Sequence, residues 1–292
     1  MPNQSRSKIY RLLLCSVCSV LLFAACAYAS ELLPPAPSLD HGYQLAYNLD
    51  FTSAQQEFTA WQKVHPQDPL GPVSEAAGLL FSEFSRLGIL ESQLFTKDSS
   101  FEKRKKLTPD PALRARFQAA LLRADALAQA QLTKDPNNTD ALFAQALSNG
   151  LRADYTALIE KRNVASLGYT KDASAAAKKL LKIDPEYYDA YLATGLNDYI
   201  VGSLSAPVRW FMRMGGYEGD KKAGINELRL AAEHGRFFAP FARMLLAVTY
   251  LRDKDPRHAR ELLSGLRDQF PANPLFAREI ARLDHSHTGG GE

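Results

Sequence analysis

Asp135-Pro136-Asn137-Asn138-Thr139-Asp140-Ala141-Leu142-Phe143-Ala144-Gln145-Ala146-Leu147 returns as Asp184-Pro185-Glu186-Tyr187-Tyr188-Asp189-Ala190-Tyr191-Leu192-Ala193-Thr194-Gly195-Leu196, at a constant offset of 49 residues. Self-similarity at a fixed period of tens of residues marks stacked units, each burying its apolar face against its neighbours. Around the phrase, helical periodicity in Ala, Leu, Arg, Lys and Gln runs almost the whole way, and alternating β-branched runs are absent. The chain therefore reads as all-α, an α-solenoid of antiparallel helix pairs.

The joints between units are marked by prolines. Lys63-Val64-His65-Pro66, Thr133-Lys134-Asp135-Pro136, Lys182-Ile183-Asp184-Pro185 and Asp268-Gln269-Phe270-Pro271 each bring a polar or basic helix end to a residue that cannot continue the helix. Twelve residues before each proline stands Ala54, Ala124, Ala173 or Ala259, and eight before it Phe58, Ala128, Ala177 or Leu263. A small residue is needed where two helix backbones approach closely, and the larger one fills the space beside it on the same face. Gly42, Ala146, Gly195 and Ala247 stand at the corresponding place on the preceding helix of each pair.

This order of small, small, larger apolar and proline resembles the tetratricopeptide repeat. Arg243 to Pro271 fits best, through Leu246, Ala247, Tyr250, Ala259, Leu263 and Pro271, and residues 37–66 fit through Gly42, Ala54, Phe58 and Pro66. The middle departs from the pattern: Leu142 to Ala173 spans 31 residues, about twice the family spacing, so helices or loops there are lengthened. The resemblance implies a repeat domain over 38–283, with a concave groove lined by the first helix of each pair. Tyr43, Phe143, Leu147, Leu192, Leu196, Tyr199, Met244 and Val248 would fall on that inner face, and a protein or peptide partner would be the expected occupant.

The ends carry other signals. Residues 1–29 read as a signal peptide: Arg6, Lys8 and Arg11 precede the apolar Leu12 to Ala25, and Ala27-Tyr28-Ala29 offers a small-x-small cleavage site. Phe23-Ala24-Ala25-Cys26 also resembles a lipobox, at which Cys26 would become an acylated N-terminus. Export to the periplasm and anchoring as an outer-membrane lipoprotein both stand, and membrane contact is expected only if Cys26 is acylated. All three cysteines, Cys15, Cys18 and Cys26, lie in this segment, so cleavage after Ala29 would leave no disulfide, thiol nucleophile or Cys metal site. A Pro-rich linker, 30–37, leads into the repeats, and 284–292, where Asp284-His285-Ser286-His287 runs into glycines, reads as a disordered tail.

The formal charge of +3 falls to about zero once the three bases of the signal are removed, which excludes an electrostatic footprint for nucleic acid. There is no His-Glu-x-x-His, no phosphate-binding glycine loop and no Gly-x-Ser-x-Gly. Neither catalytic, cofactor nor metal residues are expected. Glu160, Glu186, Glu227 and Glu233 are the mid-chain acids a helical hydrolase or lyase would draw on, and they follow no paired-carboxylate spacing. The basic run Lys103 to Lys106 reads as a solvated loop, and Tyr187, Tyr188, Tyr191 and Tyr199 as packing at helix starts.

The most distinctive stretch is the insert Ser203 to Asp220, where Arg209, Trp210, Phe211, Arg213 and Met214 would suit a partner or a lipid surface. Trp210, Phe211 and Met214 have one-face spacing immediately after the helix that carries Leu196 and Tyr199. Packing of Trp210 on that helix, closing part of the groove, is the expectation. The expected function is a non-catalytic exported scaffold for protein–protein interaction in the bacterial envelope. The alternatives are a lipid-anchored assembly factor and, behind it, the hydrolase or lyase.

Overall fold

The computed structural model describes residues 36–89 and 107–288, the side chains of 286–288 excepted. Among these residues there are twelve α-helices and no strand: α1 (Leu39–Tyr47), α2 (Phe51–Val64), α3 (Leu70–Arg86), α4 (Pro111–Lys134), α5 (Thr139–Asp154), α6 (Asn163–Ile183), α7 (Tyr191–Gly202), α8 (Ala206–Met214), α9 (Lys221–His234), α10 (Ala239–Arg252), α11 (Pro256–Gln269) and α12 (Pro274–Thr288). The basic run at 103–106 lies outside the described residues, as do residues 1–35 with Cys26.

Local chemistry explains where the helices start and stop. Pro66, Pro136, Pro185 and Pro271 each follow directly on a helix C-cap, at His65, Asp135, Asp184 and Phe270. At the two copies of the repeated phrase the turn is built identically: Asp135 Oδ1 accepts from Asn137 N and Asp184 Oδ1 from Glu186 N, both at 3.0 Å. Asn138 then caps α5 by accepting from Ala141 N, as Asp50, Asp110 and Asp220 cap α2, α4 and α9. The length that the repeat pattern leaves over goes into helix: α4 has 24 residues and α6 has 21, and a π-helical turn, Tyr155–Ile159, prolongs α5.

Each helix packs on the next, except that α7 passes over α8 to pack on α9; α1, α3, α5 and α7 also touch the next but one. The small and large positions read before each proline sit in these seams. Ala54, Ala124, Ala173 and Ala259, with Phe58, Ala128, Ala177 and Leu263, are all buried. Gly195 meets α9 at Gly224, where an added Cβ would stand 3.0 Å from the Gly224 carbonyl oxygen.

The first described helix, α1, is tied to residues about two hundred positions further on. Tyr43 on α1 rests among Phe58, Phe237 and Phe238, with ring centroids 5.1 to 5.2 Å away. Tyr47 Oη donates to the Phe237 carbonyl at 3.0 Å, and Asn273 Nδ2 donates to the Tyr47 carbonyl at 2.8 Å. Arg236 forks onto the Asp40 carboxylate at 2.8 and 2.7 Å. One apolar core consequently runs from Leu39 to Leu283. Helix α12 runs through Asp284 to Thr288, where the sequence reads as a disordered tail from 284, and Arg260 on α11 donates to the Asp284 carboxylate at 2.8 Å; residues 289–292 lie outside the described residues.

Candidate functional site

The residues expected to line an inner groove divide into two groups. Tyr43 and Phe143 are core rather than surface: both are buried, and Phe143 packs on Tyr187 and Phe238 with centroids 4.9 and 6.3 Å away. What covers them is the turn before α10, residues 236–238, not the 203–220 insert. Leu147, Leu192 and Met244 are half-buried against the same core, and Leu196, Tyr199 and Val248 are half-buried.

That turn is held from within by Asp189, the second aspartate of the second phrase. Its carboxylate accepts from the amides of Arg236, Phe237 and Phe238 at 2.9 to 3.2 Å. Asp140, its counterpart in the first phrase, accepts from Tyr187 Oη at 3.1 Å. Each aspartate thus grips the chain 47 residues further on. The other tyrosines of the cluster are half-buried, with Tyr191 Oη donating to the Pro185 carbonyl.

Trp210 does not pack on α7. Nothing in α8 is buried; Trp210 is 67 % exposed, Phe211 and Met214 each 70 %, and Val208 46 %. The one-face spacing is present, but the face is turned to solvent. Met212 is half-buried, and Arg209 Nη1 donates back to the Gly202 carbonyl at 2.9 Å, so the helix is pinned by its other side.

A concavity that the sequence reading missed lies across α4, α5 and α6. It is an open trough of about 720 Å³, floored on α5 by Leu142 and a polar stripe, with Ala126, Ala175 and Ala176 adding apolar surface from α4 and α6. Gln145, Asn149 and Arg152 stand at helical one-face spacing, with Asp125 and Gln129 on one wall and Asp172 and Lys179 on the other. At one end Arg152 Nη2 donates to Asp125 Oδ2 at 2.5 Å and Nη1 to Ser148 Oγ at 2.7 Å, while Ser148 Oγ donates to Asp125 Oδ1 at 2.7 Å. On the far wall Lys179 Nζ donates to the Pro136 carbonyl at 2.7 Å. These bonds fix both ends of the trough; between them Gln145 and Asn149 are half-exposed, and Asn149 Nδ2 donates to the Gln145 carbonyl at 3.1 Å. The signal for it was legible as Gln145-x-x-x-Asn149-x-x-Arg152, polar residues on a helix whose other faces are apolar.

Glu160, Glu186, Glu227 and Glu233 do not converge. Glu160 pairs with Arg114 and Arg162, Glu186 and Glu233 are exposed, and Glu227 is half-buried with its carboxyl pushed up by desolvation. Among the described residues no group of three or more His, Cys, Asp or Glu is placed to hold a metal ion, and no helix is long and apolar enough to cross a membrane. No protein-family model matches the chain, and no curated protein matches it in sequence.

Proposed function

We propose that the chain is a non-catalytic scaffold of stacked antiparallel helix pairs, exported to the bacterial envelope, whose α4–α6 trough holds an extended segment of another protein. The trough carries this reading. The side-chain amide of Gln145, with the amide oxygen and the second N–H of Asn149, offers donors and acceptors one helical turn apart, which suits the alternating N–H and C=O groups of an extended backbone. Asp172 and Lys179 on one wall, and the paired Arg152 and Asp125 at one end, give charge contacts that would set direction. The superhelical part rests on the order of packing, in which α1, α3, α5 and α7 touch in succession with the intervening helices between them.

Site-specific photocrosslinking in cells tests this. A crosslinking residue at Asp172 or Gln129 should give a discrete adduct, and the same residue at exposed Lys63 on α2 should not. Replacing Gln145 and Asn149 together by Ala should weaken the adduct about thirtyfold, at roughly 1 kcal/mol for one hydrogen bond lost at each residue. Equal crosslinking from all positions, or an adduct indifferent to the double substitution, would remove the trough from the mechanism.

A further inference from the structure

Helix α8 presents an apolar arc with no counterpart among the described residues. At 100° per residue, Trp210, Met214, Pro207, Phe211 and Val208 occupy about 160° of its circumference, the arc that the exposures show facing water. Arg209 and Arg213, one turn apart, border this arc on the Trp210 side. From Ser203 to Tyr217 there is no Asp or Glu to set against them. Lys171 adds a third cation at the C-terminal end, its Nζ donating to the Gly215 carbonyl at 3.2 Å and lying 5.0 Å from the Tyr217 ring. The first acids after this stretch are Glu218, which is exposed, and Asp220, which caps α9 through the amides of Lys222 and Ala223.

We propose that α8 is an interfacial helix that seats this protein on a bilayer carrying anionic headgroups. The composition fits that occupant: an apolar arc with Trp at its polar border goes to the boundary between acyl chains and headgroups, and the arginines reach phosphate from its edge. Nine residues are far too few to span, so the helix lies in the plane of the interface. A second copy fits poorly. Two-fold pairing through this face would set the same exposed cations of both molecules around one small apolar patch. The proposal does not depend on the α4–α6 trough, nor on the state of Cys26.

The test uses the full-length chain with Trp61→Phe, which leaves Trp210 as the single reporter. Mixed with vesicles of phosphatidylcholine and phosphatidylglycerol, Trp210 emission should shift to the blue and be quenched by lipids brominated near the headgroup. With phosphatidylcholine alone the effect should be much weaker. Arg209→Ser with Arg213→Ser should lower the partition onto anionic vesicles about twenty-five-fold, about fivefold per cation. Phe211→Ser with Met214→Ser should lower it on both lipid compositions, and Arg213→Ser alone, which spares the Arg209 bond to the Gly202 carbonyl, should lower anionic partition about fivefold with the helical dichroism unchanged. Trp210 emission unmoved by anionic vesicles would overturn the proposal. So would quenching that survives both double substitutions, since the contact would then be made elsewhere. A blue shift that appears without lipid and grows with protein concentration would assign the face to a second copy, and one that needs envelope protein rather than vesicles would assign it to a protein partner.

Discussion

Asp189 is buried and Asp154 half-buried, and hydrogen bonds compensate the desolvation of Asp189. Burial raises the Asp189 carboxyl above its ordinary range, and the three amides of 236–238 pull it back. Asp189→Ala would strand those donors inside the core, and a loss of about 3 kcal/mol in urea unfolding is expected. Asp189→Asn keeps one acceptor oxygen and should cost clearly less. Asp154, half-buried at the junction of α5 with the π-helical turn, has its carboxyl pushed up to about 7 by desolvation. The folded chain therefore binds a proton that the unfolded chain has released above its ordinary value near 4, so stability falls as pH rises from about 4 to about 7. Asp154→Asn should accordingly leave the melting temperature nearly unchanged at pH 4 and raise it at pH 8. The gain is on the order of 2 kcal/mol, part of the full shift being screened by remaining solvent contact.

At the scale of elements, α7 and α9 cross with their backbones in contact. A Cβ at Gly224 would stand 2.4 Å from Tyr199 N, and one at Gly202 would stand 2.1 Å from Lys221 N. Backbone cannot yield as a flexible side chain can. Gly224→Ala is therefore expected to cost about 1 to 3 kcal/mol, and Gly195→Leu at least as much, through separation of the two helices. Gly150 in α5 provides the opposite case, because a Cβ there meets nothing within 4 Å. Gly150→Ala should stabilise by about 0.5 to 1 kcal/mol, as an ordinary glycine in a helix interior does. Melting curves of the two alanine variants moving in the same direction would contradict this account of the crossing.

Across the whole molecule, the contacts that matter most join residues about two hundred positions apart. In an open solenoid each unit feels only its neighbours, and damage at one end leaves the other untouched. Here Asn273 bonds Tyr47, Arg236 bonds Asp40, and Phe237 and Phe238 enclose Tyr43. Asn273→Ala should consequently speed amide exchange in α1 as well as in α12, by about tenfold if one net hydrogen bond to a buried carbonyl is lost. Unchanged protection in α1 would mean that the two ends open independently. The same closure explains why Tyr43 and Phe143 serve as core: once the turn before α10 sits on them, no apolar groove is left at that point to receive a partner.

Much of this protein was legible in its sequence because it depends on neighbours along the chain. Helical periodicity, the prolines after each C-cap, the aspartate turns of the repeated phrase and the small residues of the seams follow from 3.6-residue spacing and local hydrogen bonding. All of them stand where the spacing puts them. The sequence also contained the polar stripe Gln145, Asn149 and Arg152, and the one-face spacing of Trp210, Phe211 and Met214. Periodicity says that residues share a face; it does not say what that face meets. Whether a stripe floors a trough, and whether an apolar arc is covered or turned to water, depends on where non-adjacent helices lie. In this molecule that was decided by Asp189 drawing the 236–238 turn onto Tyr43 and Phe143, and by Met212 and Arg209 pinning α8 through its other side. Both are contacts set by how the helices pack, which spacing along the chain does not encode.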